Sequence, residues 1–259
     1  MPYLDAEGAR LHYRTDGSAG APCVVLSNSL GTDLSMWDAQ AAALASEYFV
    51  LRYDTRGHGQ SSPGDAPIDI GQLGRDVLAL LNHLGIERAA CCGISMGGVT
   101  GQWLGIHAPQ RLTHLVLANT AARVGTTEGW TARARQVRQD GMAAIADSAA
   151  ARWFSGAFIE REPATVSRMV ARLREQGPAG YAACCEALAH ADLRQQVAGI
   201  AVPTLVVAGE FDPVTTVTDG EFLRQAIPGA RLEQVPASHI SNVEASAQFT
   251  ALLLAFLHS

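Results

Sequence analysis

A serine acts as a covalent nucleophile when a base can take its proton, a third group holds that base, and its hydroxyl stands clear of the surrounding backbone. Gly93-Ile94-Ser95-Met96-Gly97 is built for the last of these conditions. It ends the apolar run Ala89 to Ile94 and opens an apolar helical stretch, so Ser95 falls in a sharp strand-to-helix turn, with glycines where side chains would collide with neighbouring elements. A hydroxyl at that turn lies at a helix N-terminus, where the dipole favours developing negative charge. The corresponding chemistry is attack on a carbonyl carbon, with an acyl group held transiently on Ser95.

Elbows of this type have the chain order nucleophile, acid, base. Of eight histidines, His239 fits best: it follows the apolar segment Leu232 to Pro236 and precedes Ser241-Asn242-Val243-Glu244, which reads as a capping box opening a long apolar helix. His58 competes from Asp54-Thr55-Arg56-Gly57-His58-Gly59, yet glycines on both sides suggest a turn and it precedes Ser95. His12 on a hairpin, His83 and His107 near helix ends, His114 at a strand start, His190 and terminal His258 have structural readings. The orienting acid comes from Gly209-Glu210-Phe211-Asp212-Pro213; Asp212 is preferred because Pro213 fixes the chain after it, with Glu210 as a structural or wall residue. The oxyanion would be held by two backbone N–H groups, Met96 after the nucleophile and Leu30 in the loop Ser27-Asn28-Ser29-Leu30-Gly31.

These residues need a scaffold that brings distant loops to one edge. Pro2 to Asp5 and Arg10 to Asp16 read as a hairpin joined by Ala6-Glu7-Gly8. Cys23–Asn28, Phe49–Asp54, Ala89–Ile94, Leu112–Asn119 and Thr204–Ala208 are short apolar runs of the kind buried on both faces of a parallel sheet. The stretch from Ile70 to Leu84 carries Leu73, Val77, Leu80, Leu81 and Leu84 on one stripe, with Asp69 as N-cap and Gly85 as stop. The alternation predicts an α/β fold with a mostly parallel, doubly wound sheet and ligands at the carboxyl ends of its strands. Strand patterning stops between Asn119 and Pro203, where Gly141–Phe154 and Pro163–Gln176 read as helices. The expected organisation is a core from 1–120 and 193–259 interrupted by a helical cap at 121–192.

Composition narrows the partners. With 48% hydrophobic and 17% charged residues in 259, the chain can bury one sizeable core. A net charge of -6 gives no basis for binding nucleic acid or an anionic membrane, so a small molecule is the expected partner. All 19 basic residues are arginine, a bias that reads as codon usage. Cys23, Cys91, Cys92, Cys184 and Cys185 suggest neither a disulfide framework nor a zinc site. The N-terminus lacks the pattern of a signal peptide and no apolar run is long enough to span a bilayer, so a cytoplasmic location is expected.

The set Ser27-Asn28-Ser29-Leu30-Gly31-Thr32, Tyr53-Asp54-Thr55-Arg56-Gly57-His58-Gly59, the elbow at Ser95, and Ser238-His239-Ile240-Ser241-Asn242-Val243-Glu244 resembles the 3-oxoadipate enol-lactonases of the α/β-hydrolase superfamily. The elbow and the Arg-Gly-His-Gly turn are shared by many α/β hydrolases, whereas the first and last segments are more particular. Gly141-Met142-Ala143 and Ala191-Asp192-Leu193-Arg194 are similar as well, so the likeness runs through nearly the whole chain. The resemblance implies hydrolysis of a five-membered enol lactone with an acetate arm to 3-oxoadipate, in bacterial degradation of aromatic compounds. It implies Ser95 as nucleophile, His239 as base, Asp212 as its orienter, and no metal or organic cofactor. An esterase, a perhydrolase or a carbon–carbon bond hydrolase of the same fold are alternatives, as is a ligand receptor that retains the triad.

An anionic substrate calls for a local cation. Residues 120–190 hold nine arginines against seven acids, while the rest of the acidic chain carries the opposite balance. Arg133, close after Trp130, is the expected carboxylate clamp, with Trp153 as an apolar wall.

Overall fold

The computed structural model describes residues 2–259. Eight strands form one sheet: β1 (Tyr3–Ala6), β2 (Ala9–Asp16), β3 (Cys23–Ser27), β4 (Phe49–Tyr53), β5 (Ala89–Ile94), β6 (Leu112–Ala118), β7 (Thr204–Gly209) and β8 (Arg231–Val235). Their spatial order is β1-β2-β4-β3-β5-β6-β7-β8. β1 and β2 pair antiparallel, β2 joins β4 antiparallel, and every other pair is parallel. β3, β5 and β7 are buried along their whole length, the reason their sequences are continuously apolar rather than alternating. The hairpin turn is Glu7-Gly8, both at positive φ (42° and 78°), one residue shorter than the expected Ala6-Glu7-Gly8. Two left-handed residues match the twist of the flanking strands.

The strand order reverses at β3, which has β4 on one side and β5 on the other. The β3–β5 register aligns Ser27 with Gly93. The loop leaving β3 therefore starts beside the elbow leaving β5, a topological switch point of the type that opens a crevice at carboxyl strand ends.

Helices α1 (Asp38–Leu44), α2 (Ile70–His83) and α3 (Met96–His107) make the first crossovers. α2 ends as its sequence requires: Asp69 accepts the Gln72 N–H at 2.6 Å, and Gly85 turns the chain at φ 68°. Between β6 and β7 lie α4 (Thr127–Asp140), α5 (Ala143–Asp147), α6 (Ala149–Trp153), α7 (Gly156–Arg161), α8 (Pro163–Arg174) and α9 (Pro178–His190). Gly141–Phe154, expected as one helix, is two short ones broken at Ser148, and Gly141 itself closes α4 at φ 73°. The inserted helices press on the core at one point where two backbones touch: a Cβ on Gly180 would lie 2.2 Å from the Gly57 carbonyl oxygen.

After β7 come α10 (Val217–Ala226), α11 (Ser241–Glu244) and α12 (Ser246–Leu257). Ser241 and Glu244 do not cap the long apolar helix. They form a separate turn, broken from α12 at Ala245, and their side chains bond elsewhere. No helix among the described residues is long and apolar enough to cross a membrane.

A buried ion pair ties the hairpin to α2. Arg56 donates Nε and Nη2 to Asp76 at 2.8 and 2.5 Å, and its remaining N–H groups to the carbonyls of Glu7 and Ala6 at 3.2 and 3.3 Å. Both side chains are almost wholly removed from water. Asp76→Ala leaves a guanidinium buried without its counter-charge, and urea denaturation is expected to show a loss of about 3–5 kcal/mol. A change below about 1 kcal/mol would contradict this role.

Candidate active site

Ser95 links β5 to α3 with φ 55° and ψ -116°, a conformation that L-residues rarely adopt and that costs on the order of 1–3 kcal/mol. Ser95 N–H donates to the Ala118 carbonyl at 3.0 Å and its own carbonyl accepts the Thr120 hydroxyl at 2.8 Å, which holds the strained turn from both sides. The flanking glycines have no alternative. A Cβ on Gly93 would stand 2.1 Å from the Gly97 carbonyl oxygen, and one on Gly97 would stand 2.2 Å from that of Ser27. The nucleophile turn is thus wedged against the β3 loop with no room for a methyl group.

That loop is fixed in its turn. The buried Asn28 side chain donates to the Tyr53 carbonyl at 2.7 Å and accepts the Trp37 indole N–H at 3.0 Å, while Ser27 Oγ and the Tyr53 hydroxyl lie 2.7 Å apart. Leu30 follows, and neither its N–H nor that of Met96 is engaged by a protein acceptor among the described residues. Met96 N–H is one of the first amides of α3, which have no carbonyl behind them to bond.

Asp212 lies in the loop after β7 and His239 in the loop after β8. His239 Nδ1 is 2.8 Å from Asp212 Oδ2, with both side chains buried. Asp212 Oδ2 also accepts Asn119 Nδ2 at 2.9 Å and the Thr215 hydroxyl at 2.8 Å, and Oδ1 accepts the N–H groups of Val214 and Thr215 at 2.7 and 3.1 Å. Burial pushes this carboxyl's pKa up, but the His239 charge and the bonds from His239, Asn119 and Val214 outweigh it and hold it below the usual range. An ionised carboxylate only accepts, so His239 Nδ1 carries the proton of that bond, which makes Nε2 the acceptor whenever the ring is neutral.

Ser95 and His239 open on one cavity of about 330 Å³ between the carboxyl ends of the strands and the inserted helices, small for a ligand site. Ser29, Leu30, Trp130, Trp153, Arg133 and Arg152 are among its walls, and no Asp or Glu lines it. The Arg133 guanidinium lies 4.9 Å from the Trp130 ring centroid, while Arg152 donates to the Ile145 carbonyl at 3.0 Å and to the Ser148 hydroxyl. Among the described residues neither has a carboxylate partner, unlike Arg123, Arg138, Arg172 and Arg174. Burial, and then the neighbouring Arg133 cation, lower the pKa of Arg152. Burial also pushes the phenol of Tyr181, on the same wall, up to about 12.

The structure thus brings Ser95, His239, Leu30, Arg133, Trp130 and Trp153 to one cavity, with Asp212 directly behind the imidazole. Glu210 is exposed and belongs to no wall of it. His58 is buried outside the cavity lining, and burial pushes its pKa down to about 4. His12, beyond its place on the hairpin, pairs with Asp54 at 2.7 Å in the core.

Three contributors escaped the sequence reading as site residues. Asn119, read only as the end of a strand, leaves β6 at φ 42° and holds both Asp212 and the Ser238 carbonyl. A polar residue closing an apolar strand was its only signal. Arg152 was one of nine inserted arginines, and Tyr181 had no signal at all.

Comparison with known proteins is consistent with this geometry. A family model described as alpha/beta hydrolase fold matches residues 22–246. The chain is 53% identical over 93% of its length, and 90% of the relative's, to 3-oxoadipate enol-lactonase 2 of Acinetobacter baylyi. It is 45% identical to 3-oxoadipate enol-lactonase 1 of the same organism, over 98% of this chain and 95% of that one. The crystal structure of the enol-lactonase from Burkholderia xenovorans superposes with a TM-score of 0.98 at 47% identity, covering all of both chains.

The wedge at the elbow is open to test. Gly97→Ala is expected to push α3 from the β3 loop, lowering stability by about 1–3 kcal/mol and slowing fluorophosphonate labelling of Ser95 at least about tenfold. Gly156→Ala, where a Cβ meets nothing within 4 Å, serves as the control and should label like wild type.

Proposed function

We propose, from the premise that the chain belongs to the alpha/beta hydrolase fold family, that it hydrolyses 3-oxoadipate enol-lactone to 3-oxoadipate through a Ser95–His239–Asp212 triad. The observation that carries the reading is a single small cavity holding Ser95, His239 and two arginines with no acid on its walls. A neutral ester needs no such cations. A lactone with a carboxylate arm does, and two relatives at 45% and 53% identity carry the enol-lactonase name.

In this mechanism His239 Nε2 removes the Ser95 proton as Oγ attacks the lactone carbonyl, and Asp212 stabilises the imidazolium that results. Charge developing on the carbonyl oxygen is met by the unengaged N–H groups of Leu30 and Met96 and by the N-terminal end of α3. Collapse breaks the ring C–O bond and expels an enolate, a better leaving group than a simple alkoxide; the enolate takes the proton from the His239 imidazolium and stays tethered to Ser95 through the acyl chain. The enol so formed tautomerises to the ketone. Water, activated by His239, then cleaves the acyl-serine. Arg133 and Arg152 hold the acetate carboxylate while Trp130 and Trp153 exclude water from around the ring. The reaction belongs to bacterial breakdown of aromatic compounds.

Loss of enol-lactone absorbance, with substrate generated in situ, tests the reading. Ser95→Ala should lower kcat by about 10⁶-fold and Asp212→Asn by about 10⁴-fold, the latter because the amide can no longer hold the imidazole in its productive tautomer. Turnover surviving in Ser95→Ala contradicts the mechanism.

A charge-assisted arginine–carboxylate contact is worth about 1.5–3 kcal/mol, which is about 10- to 150-fold in affinity. Arg133→Ala should therefore raise KM for the lactone by about that factor and barely alter KM for p-nitrophenyl acetate. Equal effects on the two substrates contradict the clamp.

A further inference from the structure

Glu244 was expected to cap a helix; instead its carboxylate reaches back across the loop that carries His239. Oε2 accepts the Ser238 N–H at 2.9 Å and the Ser155 N–H at 3.2 Å, and Oε1 accepts the Ser155 hydroxyl in a short bond. Ser238 immediately precedes His239. Ser155 is the N-cap of α7 and lies two residues beyond the cavity wall Trp153. On the other side of the histidine, Ile240 N–H donates to the Trp153 carbonyl at 3.0 Å. The residues before and after His239 are thus both tied to the Trp153–Ser155 segment of the inserted helices, one through a carboxylate and one directly.

Residues 236–240 run between β8 and α11 outside any strand ladder. The buried Ser238 amide has no ladder partner and finds its acceptor in the Glu244 side chain. A carboxyl group carries two acceptor oxygens, so it can serve the core loop and the cap segment together. Asn119 holds the same residue from its other peptide group, through the Ser238 carbonyl at 3.1 Å, but it belongs to the core and makes no link to the cap.

We propose that Glu244 is a positioning residue for the hydrolytic reaction, joining the His239 loop and the Trp153–Ser155 wall into one unit, so that a substrate seated on that wall meets an imidazole already in place. The proposal rests on His239 being the base. Glu244 touches no reacting atom, and its loss should act on turnover through the histidine. A displacement of about 1 Å at such a group can cost about 10²-fold in rate.

The test compares Glu244→Ala, Glu244→Gln, Ser155→Ala and the Glu244→Ala/Ser155→Ala pair with wild type, on the enol lactone and on p-nitrophenyl acetate. Active sites are counted by stoichiometric fluorophosphonate labelling, and folding is followed by circular dichroism and thermal melting. Per active site, Glu244→Ala is expected to lose about 10- to 100-fold in kcat, with KM within about threefold of wild type. Glu244→Gln, which keeps one acceptor oxygen, should fall between, and Ser155→Ala, which keeps its N–H, should lose less. The pair should be no worse than Glu244→Ala alone, because both changes break the same link. A merely structural glutamate would lower the melting temperature and the labelled fraction while kcat per labelled site stayed within about twofold of wild type, and that result overturns the proposal. Should Glu244→Ala fail to fold, the Gln and Ser155 variants decide in the same terms. A wild type that turns over the ester but not the lactone overturns the substrate reading alone, since the kcat ratios on the ester still decide the role of Glu244.

Discussion

The Gly97 backbone rests against the carbonyls of Ser27 and Asn28 so closely that no Cβ fits between them, and the rest of the site depends on that contact. It is possible because β3 and β5 are neighbours in register, and it fixes the distance between the turn that bears Ser95 and the loop that bears Leu30. Were the two loops free to separate, the spacing between the Met96 and Leu30 amides would not be fixed. The strain at Ser95, φ 55°, persists because the Ala118 and Thr120 bonds and the wedge over-determine the turn. A backbone constraint of this kind costs nothing to reorganise during a reaction, which is why preorganised amides outperform water as stabilisers of developing charge.

Electrostatics then divide the site into two compartments. The negative charge of Asp212 is surrounded by five donors behind the imidazole and does not face the cavity. The two guanidiniums that do face it lack acidic partners, although the chain as a whole carries a charge of -6. An acidic protein can thus present a cationic pocket: Arg123, Arg138, Arg172 and Arg174 are paired with carboxylates, whereas Arg133 and Arg152, on the cavity wall, have no such partner among the described residues. Burial, and then the neighbouring Arg133 cation, disfavour the charge on Arg152, and an anion between the two guanidiniums would offset both.

The legible parts were those governed by short-range rules. Continuous apolar runs announced the parallel strands, Asp69 and Gly85 bounded α2, and the glycines around Ser95 declared their steric reason before any coordinates. Chain order and the flanking segments favoured His239 over His58, and of the two only His239 lines the cavity, while burial pushes the pKa of His58 down to about 4. What stayed hidden depended on contacts between distant segments. Asn119 meets Asp212 across 93 positions and Glu244 meets Ser155 across 89. No periodicity encodes such pairs. The capping-box reading of Ser241–Glu244 failed for the same reason: the local pattern was right for a cap, but tertiary partners offered both side chains other bonds.

These long-range contacts explain how a site assembled from five loops can hold one geometry. Each loop takes part of its geometry from its neighbours. The β3 loop borrows from Tyr53 and Trp37, the Asp212 loop from Asn119, and the His239 loop from Asn119 on the core side and Trp153 on the cap side. Asn119 is the shared member: one side chain bonds Asp212, the Ser238 carbonyl and the Ser241 hydroxyl, coupling the acid to the loop of the base it orients. Because Trp153 is at once a cavity wall and the acceptor for Ile240, recognition and proton transfer share a support. On the proposed reading, a ligand seated on that wall lies against the same segment that already fixes the His239 loop, so selectivity for a small anionic ring and efficiency in cleaving it would have a common structural origin.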